Sequence, residues 1–380
     1  MQILNAVGRT CFALFVTLVL AAAPAAGQTA GSSNDLMSDV DAAAKKTMED
    51  QRLVGLAIAL IQEGKVSQVK GYGFQDREAS VPVTDKTMFR WASISKLVTA
   101  VLAMQLVNAG ELDLNADVRS LVPEFPAKEF GGEKMTVTIR DLLCHQGGIV
   151  HYSNGRVVRT QQDYGLEHPF EDVVLALDRF RESPLVNAPG QRFSYTTHGY
   201  MLLGAAVQRA GKQKFALQGK KRIFEPLGMT SMQPDYQWIE IDNRAVGYRL
   251  RRGEVVRSTN TDVSWKLAGG GFISNVGDLA RFGTGLMSED VLPESVLQRM
   301  KTPQKTTQGG RATRYGLGFN VRELDGHECV GHTGSQEKAK TALFVLPERK
   351  LGVAIMCNSE NASLGSLTNE LLRLLVAQEE

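Results

Sequence analysis

The sequence predicts a mixed α/β architecture in which one antiparallel sheet is assembled from both ends of the chain, with an all-α lobe inserted between them. Three observations carry this reading. Val54–Gln62 and Lys65–Tyr72 read as strands joined at Glu63-Gly64, a hairpin signal. Near the other end, Glu328–Gly331, Thr341–Leu346 and Leu351–Cys357 are apolar runs broken by Pro347-Glu348-Arg349, a meander of strands. From about Val118 to Gly285 the signals are instead short helices, loops and Gly/Pro punctuation.

The first residues stand outside this unit. Arg9 precedes an apolar run from Cys11 to Leu20, followed by Ala21–Ala26 and Gly27-Gln28. Residues 1–27 therefore read as a secretory signal peptide with cleavage near Ala25 to Gly27, and 28–35 as a flexible lead-in. The competing reading, a retained membrane anchor, is disfavoured because the run is short for a ~20-residue span. The expected location is the periplasm or the medium. Cys144, Cys329 and Cys357 remain after cleavage, too few and too odd in number for a disulfide framework.

Asp35–Arg52 has helical spacing, with Leu36, Val40, Ala43 and Met48 as an apolar stripe. Ser93–Ala109 is apolar nearly all round, as suits a centrally buried helix, and Gly110 marks its end. Thr138–Leu143, Glu171–Arg181, Gly199–Arg209 and Val276–Leu286 read as helices of the inserted lobe, and Leu364–Ala377 as the closing helix. No repeat or internal linker interrupts residues 36–380. They read as a single domain, with an α/β lobe at about 36–105 and 310–380, a helical lobe at about 106–309, and a cleft between them as the default site.

With 43% hydrophobic residues, 22% charged residues and a formal net charge of +2, the chain has no electrostatic reason to bind nucleic acid or an anionic membrane. Its chemistry lies in short motifs. Ser-x-x-Lys occurs three times, at Ser67–Lys70, Ser93–Lys96 and Ser335–Lys338. The first lies on a strand, where residues three apart point to opposite faces, and the third falls in a loop-like stretch. At the start of an apolar helix, Ser93 and Lys96 share one face. A serine hydroxyl needs an adjacent base, and a lysine kept neutral by burial can provide one.

Two further elements follow in order. Phe193-Ser194-Tyr195-Thr196-Thr197-His198 precedes an apolar helix, and Val330-Gly331-His332-Thr333-Gly334 ends a strand. Ser-x-x-Lys, then Tyr-x-(Asn/Ser), then Lys/His-Thr-Gly is the pattern of penicillin-recognising serine hydrolases. Supported by Phe89–Lys96, Leu142–Ile149 and Ile223–Met229, the mature chain resembles the class C β-lactamase and D-alanyl-D-alanine peptidase superfamily over essentially its whole length. Ala268–Ser274, Val276–Leu279 and Gly148–Tyr152 are especially similar to the mitochondrial serine β-lactamase-like proteins.

The resemblance implies a β-lactamase/transpeptidase-like fold and assigns roles. Ser93 would attack a carbonyl and become acylated, with Lys96 helping to deprotonate it. Tyr195, supported by a cationic Lys96, would relay the proton to the leaving group and activate water for deacylation. The backbone N–H groups of Ser93 and Ser335 would form the oxyanion hole. Thr197, His332, Thr333, Gly334 and Tyr152 would line the substrate site.

Two positions depart from the commonest pattern. Thr197 stands where many members have Asn, and His332 where β-lactamases usually have Lys. A histidine, mostly neutral at pH 7, offers a carboxylate less than a lysine does. Small peptides, including those with D-residues, and carboxyl esters therefore rank above β-lactams as substrates. No cofactor or metal is implied: His327 and Cys329 share a strand face that His332 does not. No serine has glycine at both −2 and +2, which excludes the ordinary nucleophile elbow. Gly269–Gly271 reads as a tight backbone approach beside the cleft, and His145 with Gly147-Gly148 as a structural loop. A non-catalytic binding or self-assembling scaffold using the same fold is the alternative to catalysis, and a homo-oligomer is expected to be compatible with catalysis as well.

Overall fold

The computed structural model describes residues 33–379 except 161, 309 and 311. The leader lies outside them, as does the lead-in as far as residue 32.

The helix α1 (Ser33–Gln51) leads into strands β1 (Gly55–Gln62), β2 (Lys65–Asp76) and β3 (Val81–Pro82). Glu63 and Gly64, at φ 53° and 73°, make the tight turn between the first two. Strands β4 (Asn320–Leu324), β5 (His327–Gln336), β6 (Ala339–Leu346) and β7 (Leu351–Cys357) come from the far end of the chain. Together they form a seven-stranded sheet in the order β4-β5-β6-β7-β1-β2-β3. The seam between the two ends is an antiparallel ladder from Leu56↔Cys357 to Ile61↔Gly352. The terminal segments thus close one sheet, as the alternating apolar runs predict.

Side-chain alternation divides this sheet into two buried faces. Leu56, Ile58 and Leu60 join Val353 and Ile355 beneath α1 and α5 (Gly365–Ala377), against Leu36, Val40, Leu371 and Leu375. Ala57, Ala59, Ile61, Ala354 and Met356 face the opposite way, into the larger core. Its centre is α2 (Ser95–Asn108), buried from Ser95 to Met104 and again at Leu106. Each large aliphatic side chain so buried contributes roughly 1.5–3 kcal/mol, which is why an all-round apolar helix sits centrally. Helices α3 (Thr197–Ala210) and α4 (Val276–Gly285) pack in the same core, the latter capped by Asn275, whose side chain accepts from the Asp278 N–H. Fold class and sheet assembly match the sequence reading. The three described cysteines are buried and free.

Local boundaries differ in instructive ways. The predicted helix at Ser93 begins as a 3-10 turn, Ala92–Ile94, before α2 takes over at Ser95. The predicted helix Glu171–Arg181 is instead two 3-10 turns, Pro169–Glu171 and Leu175–Arg179. Asp172 separates them: its carboxylate accepts from the Val174 N–H and from Gln208, a local side-chain bond that competes with helix propagation. Strand β5 runs on to Gln336, carrying His332-Thr333-Gly334-Ser335 on its end.

Candidate active site

Ser93 occupies a tightly held junction. Trp91 is fully buried, its indole N–H donates to Ser274 Oγ at 2.7 Å, and its backbone N–H donates to Phe272 O at 2.8 Å. Ala92, at φ 49°, adopts the left-handed conformation that L-residues rarely take, and it turns the chain so that Ser93 emerges. Between Trp91 and Ala100, Ser93 alone is not buried.

Lys96 lies one turn further along and is fully buried. Its Nζ is 3.1 Å from Ser93 Oγ, 3.1 Å from Thr197 Oγ1 and 2.7 Å from Gly269 O. Burial, helped by repulsion from Lys266, holds the amine well below the usual lysine range. A neutral amine has two N–H groups and one lone pair. Donating to Gly269 O and Thr197 Oγ1 leaves the lone pair for the Ser93 hydroxyl proton. This is the geometry of a general base.

The other two Ser-x-x-Lys matches are separated as the sequence anticipates. Ser67 Oγ bonds Gln62, and Lys70 pairs with Asp41. Ser335 Oγ accepts from Lys340, and Lys338 reaches Asn260.

Tyr195 comes from the segment before α3. Its hydroxyl lies beside Ser93, and its ring lies 5.0 Å from Lys96 Nζ. Burial pushes the phenol up, so it stays protonated. Burial disfavours the charged form of Lys96 and so weakens the cation expected to make the tyrosine acidic. The amine stands 3.1 Å from Ser93 Oγ as the candidate proton acceptor, with the protonated Tyr195 beside it.

Strand β5 approaches Ser93 from the other side. Its neighbour β4 pairs with it only from Leu324↔His327 to Asn320↔Gly331, so His332–Gln336 present an edge free of β4. Gly334 abuts the nucleophile segment: a Cβ there would lie 2.4 Å from Trp91 O and 2.1 Å from Thr341 Oγ1. Thr341 Oγ1 donates to that same Trp91 carbonyl at 2.9 Å, tying β6 to the segment. The backbone N–H groups of Ser93 and Ser335 therefore belong to two segments locked together, as an oxyanion hole requires. Thr333 and Ser335 are exposed and alternate with buried His332 and Gly334.

His332 faces the core side, its ring 5.9 Å from that of Tyr195. Its Nδ1–H donates to Thr333 O at 2.5 Å, so Nε2 carries the lone pair. Burial drives its pKa down to about 4. His332 is neutral at pH 7, a stronger form of the sequence expectation. Cys329 lies in the opposite cluster, under α1 and α5.

Thr197 is repositioned relative to its expected part. It is buried, its Oγ1 is engaged by Lys96, and its N–H donates to His151 Nδ1 at 3.2 Å. It holds the base rather than standing free for a substrate amide. Tyr152, near Thr197 and 47% exposed, is the more accessible group. Gly269 makes the close approach predicted for the glycine run, where a Cβ would sit 2.6 Å from Thr197 Cγ2.

Two features go beyond the sequence reading. His145, read there only as part of a structural loop, has φ 58°, is fully buried, accepts the Thr196 N–H on Nδ1 and packs against the rings of Tyr195 at 4.3 Å, Tyr200 at 4.9 Å and Tyr315 at 4.9 Å. Trp265 and Lys266 form a second wall, with Trp265 6.3 Å from Tyr152. Aromatic clustering of residues 50 to 170 positions apart cannot be read from spacing.

A seven-stranded antiparallel sheet, an inserted helical lobe and a serine–lysine–tyrosine cluster at their junction define a β-lactamase/transpeptidase-like protein. The chain belongs to the Beta-lactamase family, whose model matches residues 40–377. It is 30% identical to the serine beta-lactamase-like protein LACTB, mitochondrial, of Homo sapiens, over 82% of this chain and 74% of that one. Among solved structures it resembles the octameric penicillin-binding protein homologue from Pyrococcus abyssi, with TM-score 0.75 and 28% identity over 90% of this chain and 77% of that one. The D-amino acid amidase from Ochrobactrum anthropi SV3 shares the fold, with TM-score 0.75 and 21% identity over 91% of this chain and 100% of that one.

Proposed function

We propose that the protein is a serine hydrolase that cleaves an amide or ester through an acyl-enzyme on Ser93. The observation that carries this reading is the 3.1 Å approach of a buried, neutral Lys96 amine to the Ser93 hydroxyl. Lys96 takes the serine proton as Ser93 attacks, the N–H groups of Ser93 and Ser335 hold the developing oxyanion, and Tyr195 donates to the leaving group. Water then repeats the sequence on the acyl-enzyme. Small peptides, including those with D-residues, and carboxyl esters are the substrate classes, because neutral His332 offers no cation to the carboxylate of a β-lactam. The amidase fold relative is consistent with amide cleavage.

The test is intact mass after exposure to a fluorophosphonate, and separately to a penicillin, for wild type and Ser93→Ala. A fluorophosphonate adduct on wild type alone supports the reading. Wild type that stays unmodified overturns it. A persistent penicillin adduct would mark a penicillin-binding peptidase, and ester turnover without one an esterase.

Export follows from the reading of residues 1–27. No helix among the described residues is long and apolar enough to cross a membrane, whereas the LACTB relative is mitochondrial. N-terminal sequencing of the mature protein from cell fractions decides the matter. Self-assembly is a second reading, motivated by the octameric relative, and light scattering after size exclusion tests it.

A further inference from the structure

The groups around Ser93 fall into two unlike sets. In one are Tyr195, His332 and Tyr315, with Tyr195–His332 and Tyr315–His332 ring separations of 5.9 Å. In the other are Thr197 and Gly269, which hold Lys96, then Tyr152, Trp265 and Lys266. If Tyr195 serves the leaving group, the second set receives the acyl part of the substrate.

Lys266 is the unusual member of that set. It is 9% exposed, too little for an ordinary surface lysine that keeps its charged head in water. Its ammonium lies 5.8 Å from the Trp265 ring and makes no hydrogen bond or ion pair with any described residue. It is near enough to Lys96 and His151 to lower both their pKa values. The surrounding acids are otherwise occupied. Asp235 is held between Arg90 and Arg244, and Asp262 accepts from the N–H and Oγ of Ser264. Glu337 is close enough to favour the charged form of Lys266, yet it is partly exposed and forms no ion pair with it. Arg90, also nearby, disfavours a cation there. Burial is the largest influence on Lys266 and lowers its pKa, so its ammonium form gains from an anionic partner.

We propose that Lys266 is a binding residue for an anionic group on the acyl part of the substrate, so that the favoured amides or esters carry a carboxylate several bonds from the scissile carbonyl. The inference rests on the hydrolase reading above and deepens it. It places recognition of negative charge on the acyl flank, whereas neutral His332 leaves the leaving-group flank without a cation. The Trp265 and Tyr152 rings supply an apolar surface for the intervening methylenes.

The experiment compares two pairs of esters differing only in a terminal carboxylate: mono-p-nitrophenyl adipate with p-nitrophenyl hexanoate, and mono-p-nitrophenyl suberate with p-nitrophenyl octanoate. For wild type, Lys266→Met and Lys266→Arg, the readout is the ratio of kcat/KM within each pair. Any effect of Lys266 on Lys96, or on folding, changes both members alike and cancels in the ratio. A charge-assisted contact predicts that Lys266→Met lowers the carboxylate-to-neutral ratio about tenfold or more, while Lys266→Arg retains most of it. An unchanged ratio in both pairs overturns the inference. Fluorophosphonate labelling separates the two levels of failure. Labelling with an unchanged ratio removes only the role of Lys266; no labelling and no turnover remove the hydrolase reading and this inference with it.

Discussion

The α-carbon of Gly334 faces the carbonyl of Trp91 so closely that a methyl group would lie 2.4 Å from that oxygen. The contact joins the strand carrying one proposed oxyanion donor, Ser335, to the segment carrying the other, Ser93. Gly334→Ala must push β5 away from Ala92–Ile94. The expected outcome is a loss of about 100-fold or more in fluorophosphonate labelling rate, the scale of losing one oxyanion donor. Circular dichroism that still reports a folded protein would assign the loss to the site.

Lys96 should trade stability for chemistry. Its folded pKa lies well below that of an exposed lysine, so between the two values the unfolded chain binds the extra proton. This group makes stability rise with pH through the window between its two pKa values. Lys96→Met removes the penalty. It should abolish Ser93 labelling while raising stability by about 1–3 kcal/mol, as uncharged replacements of buried ions often do. Chemical denaturation at pH 7 checks the second half.

Tyr195→Phe keeps the ring against His145 and deletes the hydroxyl at Ser93. With Lys96 as base, Ser93 should still react with the fluorophosphonate, which carries its own good leaving group. Turnover of an amide, which needs a proton delivered, should fall about 10²- to 10⁴-fold. Equal losses in both assays would assign the tyrosine to the first proton transfer instead.

His332, His151 and His198 are each driven by burial down to about 4. An unfolded histidine titrates near 6.5, so between those values the unfolded state holds the extra protons and stability is lost as pH falls. His332→Asn should remove one share of that slope, on the order of 2 kcal/mol between pH 7 and pH 5. The pH dependence of kcat/KM should likewise show no step near 6.5 from His332. Such a step, absent in His332→Asn, would show that His332 is charged.

The sheet and the reactive cluster were legible because each rests on a local pattern. Leu351–Cys357 is buried at every position and reads as a continuous apolar run. Ser93 and Lys96 are three residues apart at a helix start, so their contact is set by helical geometry. What escaped was long-range or electronic. Thr197 reaches Lys96 across 101 positions and Gly269 across 173. The lowered pKa of Lys96 comes from total burial that no single segment reveals. Asp172, one residue in an otherwise helical stretch, redirected the chain by a side-chain bond.

The ladder between β1 and β7 has a consequence for biosynthesis. The serine and lysine are made within the first third of the chain, but β5 and β7 are among the last segments to leave the ribosome. Pairing Leu56 with Cys357 closes almost the longest loop the chain allows, a slow and entropically late event. A nascent or truncated chain therefore lacks the Ser335 N–H proposed as one oxyanion donor. On this reading, reactivity at Ser93 comes only once β5 and β7 have joined the sheet.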